Sequence, residues 1–520
     1  MRKLKLLLLI AALLAVLAAT ILWGSPYAPV VAPVADIEEI WAIEDARTES
    51  ETPLVTALAN HGALLGYDET ENTFYCPIGL ETGDEWPQIH LTAPGAKGVS
   101  LVFVDDYGYD WCSDALRDGY SYQIMAYTDT EFSYAQIVFT GLPVVTMRTD
   151  TEIGYEDVKA SVSFCAPGSG LKSGAVTHLR GAGSRLSEKK SYKIDFVHGS
   201  KDSTAIVDVP GFGAADDVIL LAGVMDQSLL RDRLSWDIYA MIAGEDEPYG
   251  PRDTQYVELF INDRYMGLYL MMEPVDDGEE LVKTAVNAPS TDSVYRSAQI
   301  DYAGERAYVD NVMREGSIYE LYHAPAAGHE FDALRPYLAL EQMPAGEEYD
   351  AEFERLAMEY IDMESILRYY LFVQGGGMSD NVYNNMYVIA NRQDGKLTYR
   401  FAPWDMDLTW GRFRDSETGD FYHDLFSFGV AQRMIDMDAG GVTRQMLADL
   451  WSQMRETAFS EENIQTLVDG YVSELDASGA YVRDAMRWRG DAYLADGSEI
   501  LTFASEHLPI MDAHFLQESP

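Results

Sequence analysis

Cysteine and histidine are scarce in this chain: 520 residues hold three cysteines and nine histidines. Cys76, Cys112 and Cys165 have no C-x2-C spacing, and the histidines form no ligand pair, so no zinc ribbon or finger is written here. Three thiols would leave one over in any pairing within an exported chain. Ordinary buried thiols are the simpler reading. Positive charge is scarce too. Lys and Arg number 37 against 85 Asp and Glu, a net charge of −48. Such a field repels nucleic acid and anionic lipid surfaces, which excludes nucleic acid as a partner. It suits a basic protein partner, although acidic surfaces also keep secreted proteins soluble whatever they bind. Long apolar runs are absent beyond the first 35 residues, and mean hydropathy is −0.15. A polytopic membrane protein is excluded.

What is present begins with the exception. Arg2, Lys3 and Lys5 precede an almost unbroken apolar run from Leu6 to Leu22. That pattern is a secretion signal. It is either a cleaved signal peptide or a retained anchor, since a spanning helix needs about 20 apolar residues. No cysteine follows closely enough for a lipobox. The expected location is therefore extracytoplasmic, secreted or held at the surface, with membrane contact only through this segment if it is uncleaved.

Segmental composition then suggests four stretches. Residues 1–35 are the signal segment. Residues 36–143 are an acidic lead-in, with a helical stretch around Leu54–Leu65, followed by a small β-sandwich-like module of short aromatic and β-branched strands. Residues 144–274 alternate strands with one helix, whose Leu230, Leu234, Ile238 and Ile242 recur every four residues. Its last two strands, Tyr256–Ile261 and Tyr265–Met271, meet across Asn262-Asp263, a strong turn pair. Residues 275–520 read as mainly helical, with an acidic, Gly- and Ala-rich start. The fold class expected is α+β.

Chemistry concentrates between Asp380 and Asp407. A helix carrying Met363, Ile366, Leu367, Tyr370 and Leu371 on one stripe stops at Gly375-Gly376-Gly377. Asp380 and Asn385 follow. A hairpin over Tyr387–Ala390 and Lys396–Phe401 turns at Asp394-Gly395 and runs into Pro403-Trp404-Asp405-Met406-Asp407. Phosphoryl transfer needs a carboxylate to orient the attacking hydroxyl, oxygen ligands for a divalent cation and a cation on the phosphates. Protein kinases supply an Asp, an Asn five positions on, and an Asp beyond a two-stranded ribbon. Asp380, Asn385 and Asp405 stand in that order and spacing. Lys189, Lys190 and Lys193 form a cluster on a predicted strand from which one could face the phosphates, a solvated strand edge being the plain alternative. The preceding Arg180-Gly181-Ala182-Gly183-Ser184-Arg185 could bring backbone N–H groups to phosphate, or be a simple turn.

Together, Leu179-Arg180-Gly181 through Lys190-Ser191-Tyr192-Lys193, Leu230-Arg231-Asp232-Arg233-Leu234, Tyr256–Glu273, Asp380–Asn385 and Pro403-Trp404-Asp405-Met406-Asp407 resemble the spore-coat protein H (CotH) kinase family over roughly residues 145–415. The resemblance implies a bilobal protein-kinase-like domain, 144–274 its small lobe and 275–520 its large lobe. It implies an atypical protein kinase that uses ATP with Mg2+ or Mn2+ to phosphorylate a secreted, surface or coat protein, a basic or Ser-rich one. Asp380 would be the catalytic Asp. Asp405 would ligate the metal, assisted by Asn385 and Asp407. Lys190 or Lys193 would hold the phosphates, with Arg180 at the nucleotide, and Glu273 would sit at the hinge. Ala182 and Gly183 depart from the family's polar Arg-Gly-Asn-Ser/Thr-Ser-Arg. The acid that pairs with the lysine is not evident, Asp232 and Asp237 being candidates.

Other readings are weaker. Ser187-x-x-Lys190, Ser379-Asp380-Asn381 and Lys172-Ser173-Gly174 mimic the motifs of penicillin-recognising enzymes, but in the wrong order, and Ser187 precedes a strand. Asp405 and Asp407 could hold a structural calcium. Trp404 and Trp410 read as core. A catalytically weak kinase-fold adhesin or binding protein is the serious alternative. Retention of Asp380, Asn385 and Asp405 speaks for activity.

Overall fold

The computed structural model describes residues 30–31, 35–79, 90–104, 120–181, 187–198, 203–226, 228–243, 253–274, 293–297, 319–323, 331–382, 384–393, 395–412, 424–427, 429–438, 441–488 and 496–516. The N-terminal apolar run Leu6–Leu22, Cys112, Ala182–Arg185 and Asp394 lie outside them. No helix of the described residues is long and apolar enough to cross a membrane.

Short strands come first, with helix α1 (Ile37–Asp45) among them, which Asp36 caps by accepting the Glu39 N–H at 2.9 Å. One sheet joins Val30–Val31, His90–Thr92, Ala59–Asn60 and Ala63–Leu64; another joins Gly66–Asp68, Thr73–Pro77, Glu131–Thr140, Ser121–Tyr127 and Ser100–Phe103. Leu58, Ala63 and Leu91 from the first share a buried core with Phe74, Leu101, Tyr122, Ile137 and Phe139 from the second. The helix expected around Leu54–Leu65 is absent. His61 and Gly62 take left-handed backbone angles, φ +46° and +80°, and turn the chain between two strands. Leu58 and Leu65 of this segment serve a β core instead.

Next comes a closed barrel. Its strands are β1 (Val144–Arg148), β2 (Val158–Ala166), β3 (Ser169–Arg180), β4 (Ser191–Val197), β5 (Asp217–Leu221), β6 (Thr254–Ile261) and β7 (Arg264–Met272), ordered β1-β2-β3-β4-β5-β7-β6. Parallel pairing of β6 with β1 closes the ring. Period-two alternation sends Tyr192, Ile194 and Phe196 of β4 and Val218 and Leu220 of β5 into the barrel. Lys193, Asp195, Asp217 and Ile219 therefore face outward. Asn262 and Asp263, φ +49° and +60°, make the expected tight turn between β6 and β7.

Helix α2 (Arg231–Ile242) lies between β5 and β6 in sequence. Its Leu234, Trp236, Ile238, Tyr239 and Ile242 join one large core with the outward residues Ile219, Tyr256, Leu268 and Leu270 of the barrel and with the helices that follow. The stripe read as belonging to a small lobe thus packs chiefly against the second half of the chain: Trp236 meets Trp404 and Tyr239 meets Phe372, ring centroids 6.3 and 5.1 Å apart.

That second half contains a four-stranded sheet, β9-β8-β10-β11, from β8 (Ser293–Ser297), β9 (Tyr319–His323), β10 (Met386–Gln393) and β11 (Lys396–Pro403). Around it stand α3 (Arg335–Glu341), α4 (Glu347–Tyr360), α5 (Met363–Gly375), α6 (Gly429–Asp436), α7 (Val442–Glu456), α8 (Glu461–Ser478), α9 (Ala480–Trp488) and α10 (Ser498–Phe515). The class is mixed α+β. Helix α9 is described as far as Trp488.

Candidate active site

The carboxylate loops are built by α5 and the β10–β11 hairpin. Asp362 opens α5 by accepting the Ser365 N–H at 3.1 Å. Gly375 and Gly377 close it because bulk is forbidden there: a Cβ would come within 2.7 Å of Phe459 at the first and 2.5 Å of Phe503 at the second, which also has φ +60°. A single 3₁₀ turn, Ser379–Asn381, follows. Asn381 is fully buried, and its Nδ2 donates to the carbonyls of Asn385 (3.2 Å) and Trp404 (2.7 Å). The Trp404 N–H donates to the Asn385 carbonyl at 2.9 Å. One buried amide and the open end of a hairpin thus hold the two loops side by side. Asn385 and Asp405 both take left-handed angles, φ +50° and +53°.

Asp380 is gripped from its own loop. Nδ2 of Asn385 (2.8 Å) and of Asn384 (3.2 Å) donate to its Oδ2. Burial and the nearby charge of Asp405 push its carboxyl up to about 6, against a smaller downward pull from Asn384. Asp407 is half-buried, and burial, then Asp405, Asp232, Asp226 and Asp380, drive it well above the carboxylate range. Asp405 itself is exposed.

Helix α2 frames the second loop from behind. Asp232 accepts the Met406 N–H at 2.8 Å, between the two loop aspartates. Arg231 Nε donates to the Thr409 carbonyl (2.9 Å), and Trp410 Nε1 to Ser235 Oγ (2.9 Å). Burial and Asp405 raise Asp232 to about 8, with smaller counter-effects from the Met406 amide and Arg180. Asp226 goes the other way. Burial alone would raise it, but Arg231, 2.6 Å away, together with the Arg231 N–H and the Ser228 hydroxyl, holds it below its ordinary value. Five carboxylates therefore share one electrostatic neighbourhood with Arg231 and Arg180. The guanidinium of Arg180, at the end of β3, lies 5.2 Å above the Trp404 ring.

The geometry brings Arg180, Asp380, Asn385, Asp405 and Asp407 together. It keeps Lys193 on the outer wall of β4, paired with Asp217 (2.9 Å) and Asp195 (3.0 Å). Lys190 is half-buried immediately before β4, and Glu273 is buried immediately after β7. Lys189 is no solvated strand edge: it is buried against Asp484 of α9. Asp237, the other candidate for a lysine partner, accepts instead from the Tyr471 hydroxyl. Asp226 and the clamping roles of Arg231 and Asp232 were missed. The available signal was a charged Arg-Asp pair in the first turn of an otherwise apolar helix.

Among the described residues no three Asp, Glu, His or Cys side chains converge closely enough to enclose a metal ion. The donor chemistry nevertheless fits a hard divalent cation: every candidate offers oxygen, and the crowded carboxylates repel one another. The family model described as CotH kinase protein matches residues 177–506, more than half of the chain. The chain belongs to the CotH kinase family. No curated protein matches it. The CotH match runs from β3 into α10 and so takes in β4–β7, α2, both carboxylate loops and α9. Asp232, Asp380 and Asp407, the site carboxyls with raised pKa, fall inside it.

Proposed function

We propose that this CotH-family protein is an extracytoplasmic protein kinase that transfers the γ-phosphoryl group of ATP to Ser or Thr hydroxyls of secreted or surface proteins. The observation that carries the proposal is Asp380, held by Asn384 and Asn385 within the field of Asp405. A carboxylate fixed in this way orients the attacking hydroxyl and accepts its proton. Asp405, Asp407 and Asn385 would hold Mg2+ or Mn2+. Held by these residues, the cation would supply neutralisation of the charge developing on the phosphates. Arg180 adds fixed positive charge on the same side, and Lys190 or Lys193 supplies a further cation from the barrel. A net charge of −48 favours a basic protein substrate. The N-terminal apolar run supports action outside the cytoplasm.

The test is phosphate transfer from labelled ATP to the protein itself or to a basic, Ser-rich protein, with Mg2+ or Mn2+. Incorporation that Asp380→Asn lowers about 10²–10⁴-fold supports the proposal. Unlabelled protein that still binds ATP would point to the adhesin reading.

A further inference from the structure

The lysine strand has an acidic partner, and it comes from the far end of the chain. Lys189 and Asp484, 295 residues apart, form an ion pair of 2.7 Å. They are 4 % and 1 % exposed. Lys189 Nζ also donates to the Leu268 carbonyl at 2.5 Å and lies 4.7 Å above the Tyr269 ring. Its donors are engaged inside the protein, which leaves it unfit to bind phosphate. Asp484 Oδ1 accepts the Leu268 N–H at 2.9 Å as well.

Helix α9 is seated on β7 by further contacts of the same kind. Trp488 Nε1 donates to the Met266 carbonyl (2.8 Å) and Arg487 Nε to the Tyr265 carbonyl (3.2 Å). Gly267, φ +105°, makes the approach feasible, since a Cβ there would lie 2.4 Å from Asp484 Oδ1. A buried ion pair is a poor source of stability, because desolvation offsets the attraction. What it does supply is one fixed geometry, at the residue adjoining Lys190 and just ahead of Lys193.

We infer that Lys189 and Asp484 are positioning residues for the nucleotide. The pair locks the entry to β4 against β7 and α9, and with it the adjoining Lys190, which would be presented to the phosphates in one arrangement. This rests on the phosphotransferase reading given above. It moves the acidic partner of the lysine strand from α2 to the C-terminal helices, and makes the seating of α9 a determinant of ATP affinity.

The experiment uses the full chain with Mg2+ or Mn2+, measuring ATP binding by a fluorescent ATP analogue and KM for ATP separately from kcat. The double variant K189M/D484L replaces the charges with apolar groups of similar volume. Its expected behaviour is a lowered thermal midpoint, since the Leu268 N–H and carbonyl lose these partners, with a Kd and KM for ATP raised about tenfold and a kcat within about threefold, a misplaced binding group acting chiefly on substrate positioning. K189R, which keeps the pair, should restore most of the affinity. If the double variant does not fold, D484E and K189D/D484K are titrated in its place. Wild-type ATP affinity in whichever folded variants lack the native pair geometry overturns the inference. Failure of the wild-type protein to bind ATP at all overturns the phosphotransferase reading itself.

Discussion

Asp232 and Asp380 are the residues whose chemistry is most open to measurement. Both have folded-state pKa values, about 8 and about 6, above the ordinary carboxyl value of 3.8. The folded protein therefore binds protons that the unfolded chain has released, and stability falls as pH rises through this window. Without divalent cations, the thermal midpoint should fall between pH 5 and 8, and Asp232→Asn should reduce the loss. Added Mg2+ or Mn2+ should raise the midpoint more at pH 8 than at pH 5, because ionised carboxylates bind the cation. A flat profile with no cation effect would remove the electrostatic basis of the site. Catalysis should follow the opposite limb: activity that needs ionised Asp380 rises with pH up to about 6, or to a lower value once the cation offsets Asp405.

At the scale of elements, Asn381 joins the two carboxylate loops. Asn381→Leu leaves the Asn385 and Trp404 carbonyls without its amide and should cost about 2–4 kcal/mol, read from denaturant unfolding, with a larger loss of kcat than of ATP affinity. Equal stability would show the two loops to be held by the hairpin alone. Elements of this region were well marked in the sequence. The β10–β11 hairpin and the α5 stripe ending in three glycines follow from local rules, and so does the β6–β7 turn at Asn262-Asp263. Over Leu54–Leu65 the expected helix gives way to a His61-Gly62 turn between two strands. Asp484 was illegible for a different reason: its partner Lys189 lies 295 residues away, and no local pattern announces such a contact. Barrel closure by parallel β1 and β6 is illegible on the same ground.

Across the whole molecule, buried ion pairs link distant segments. Arg483 of α9 donates twice to Glu258 of β6, at 2.8 Å each, and once to the Thr140 hydroxyl of the N-terminal strands at 3.0 Å. Glu258 is fully buried and also accepts from the Tyr265 hydroxyl. Arg483→Met should leave that carboxylate without its counter-ion and cost about 3–5 kcal/mol, seen as a lower denaturant midpoint. An unchanged midpoint would mean that the N-terminal strands, barrel and C-terminal helices cohere without it. Helix α9 is seated on β7, and Arg180 of β3 covers Trp404 in the loop that carries Asp405 and Asp407, so the barrel joins the C-terminal helices to the carboxylate cluster. The proposed kinase activity is tested by phosphate transfer from γ-labelled ATP to a basic, Ser-rich protein, comparing wild type with Asp380→Asn and Asp405→Asn at pH 7.5 in Mg2+ and Mn2+. The account predicts clear labelling by wild type and near-complete loss in both variants. Equal labelling by all three proteins would contradict it.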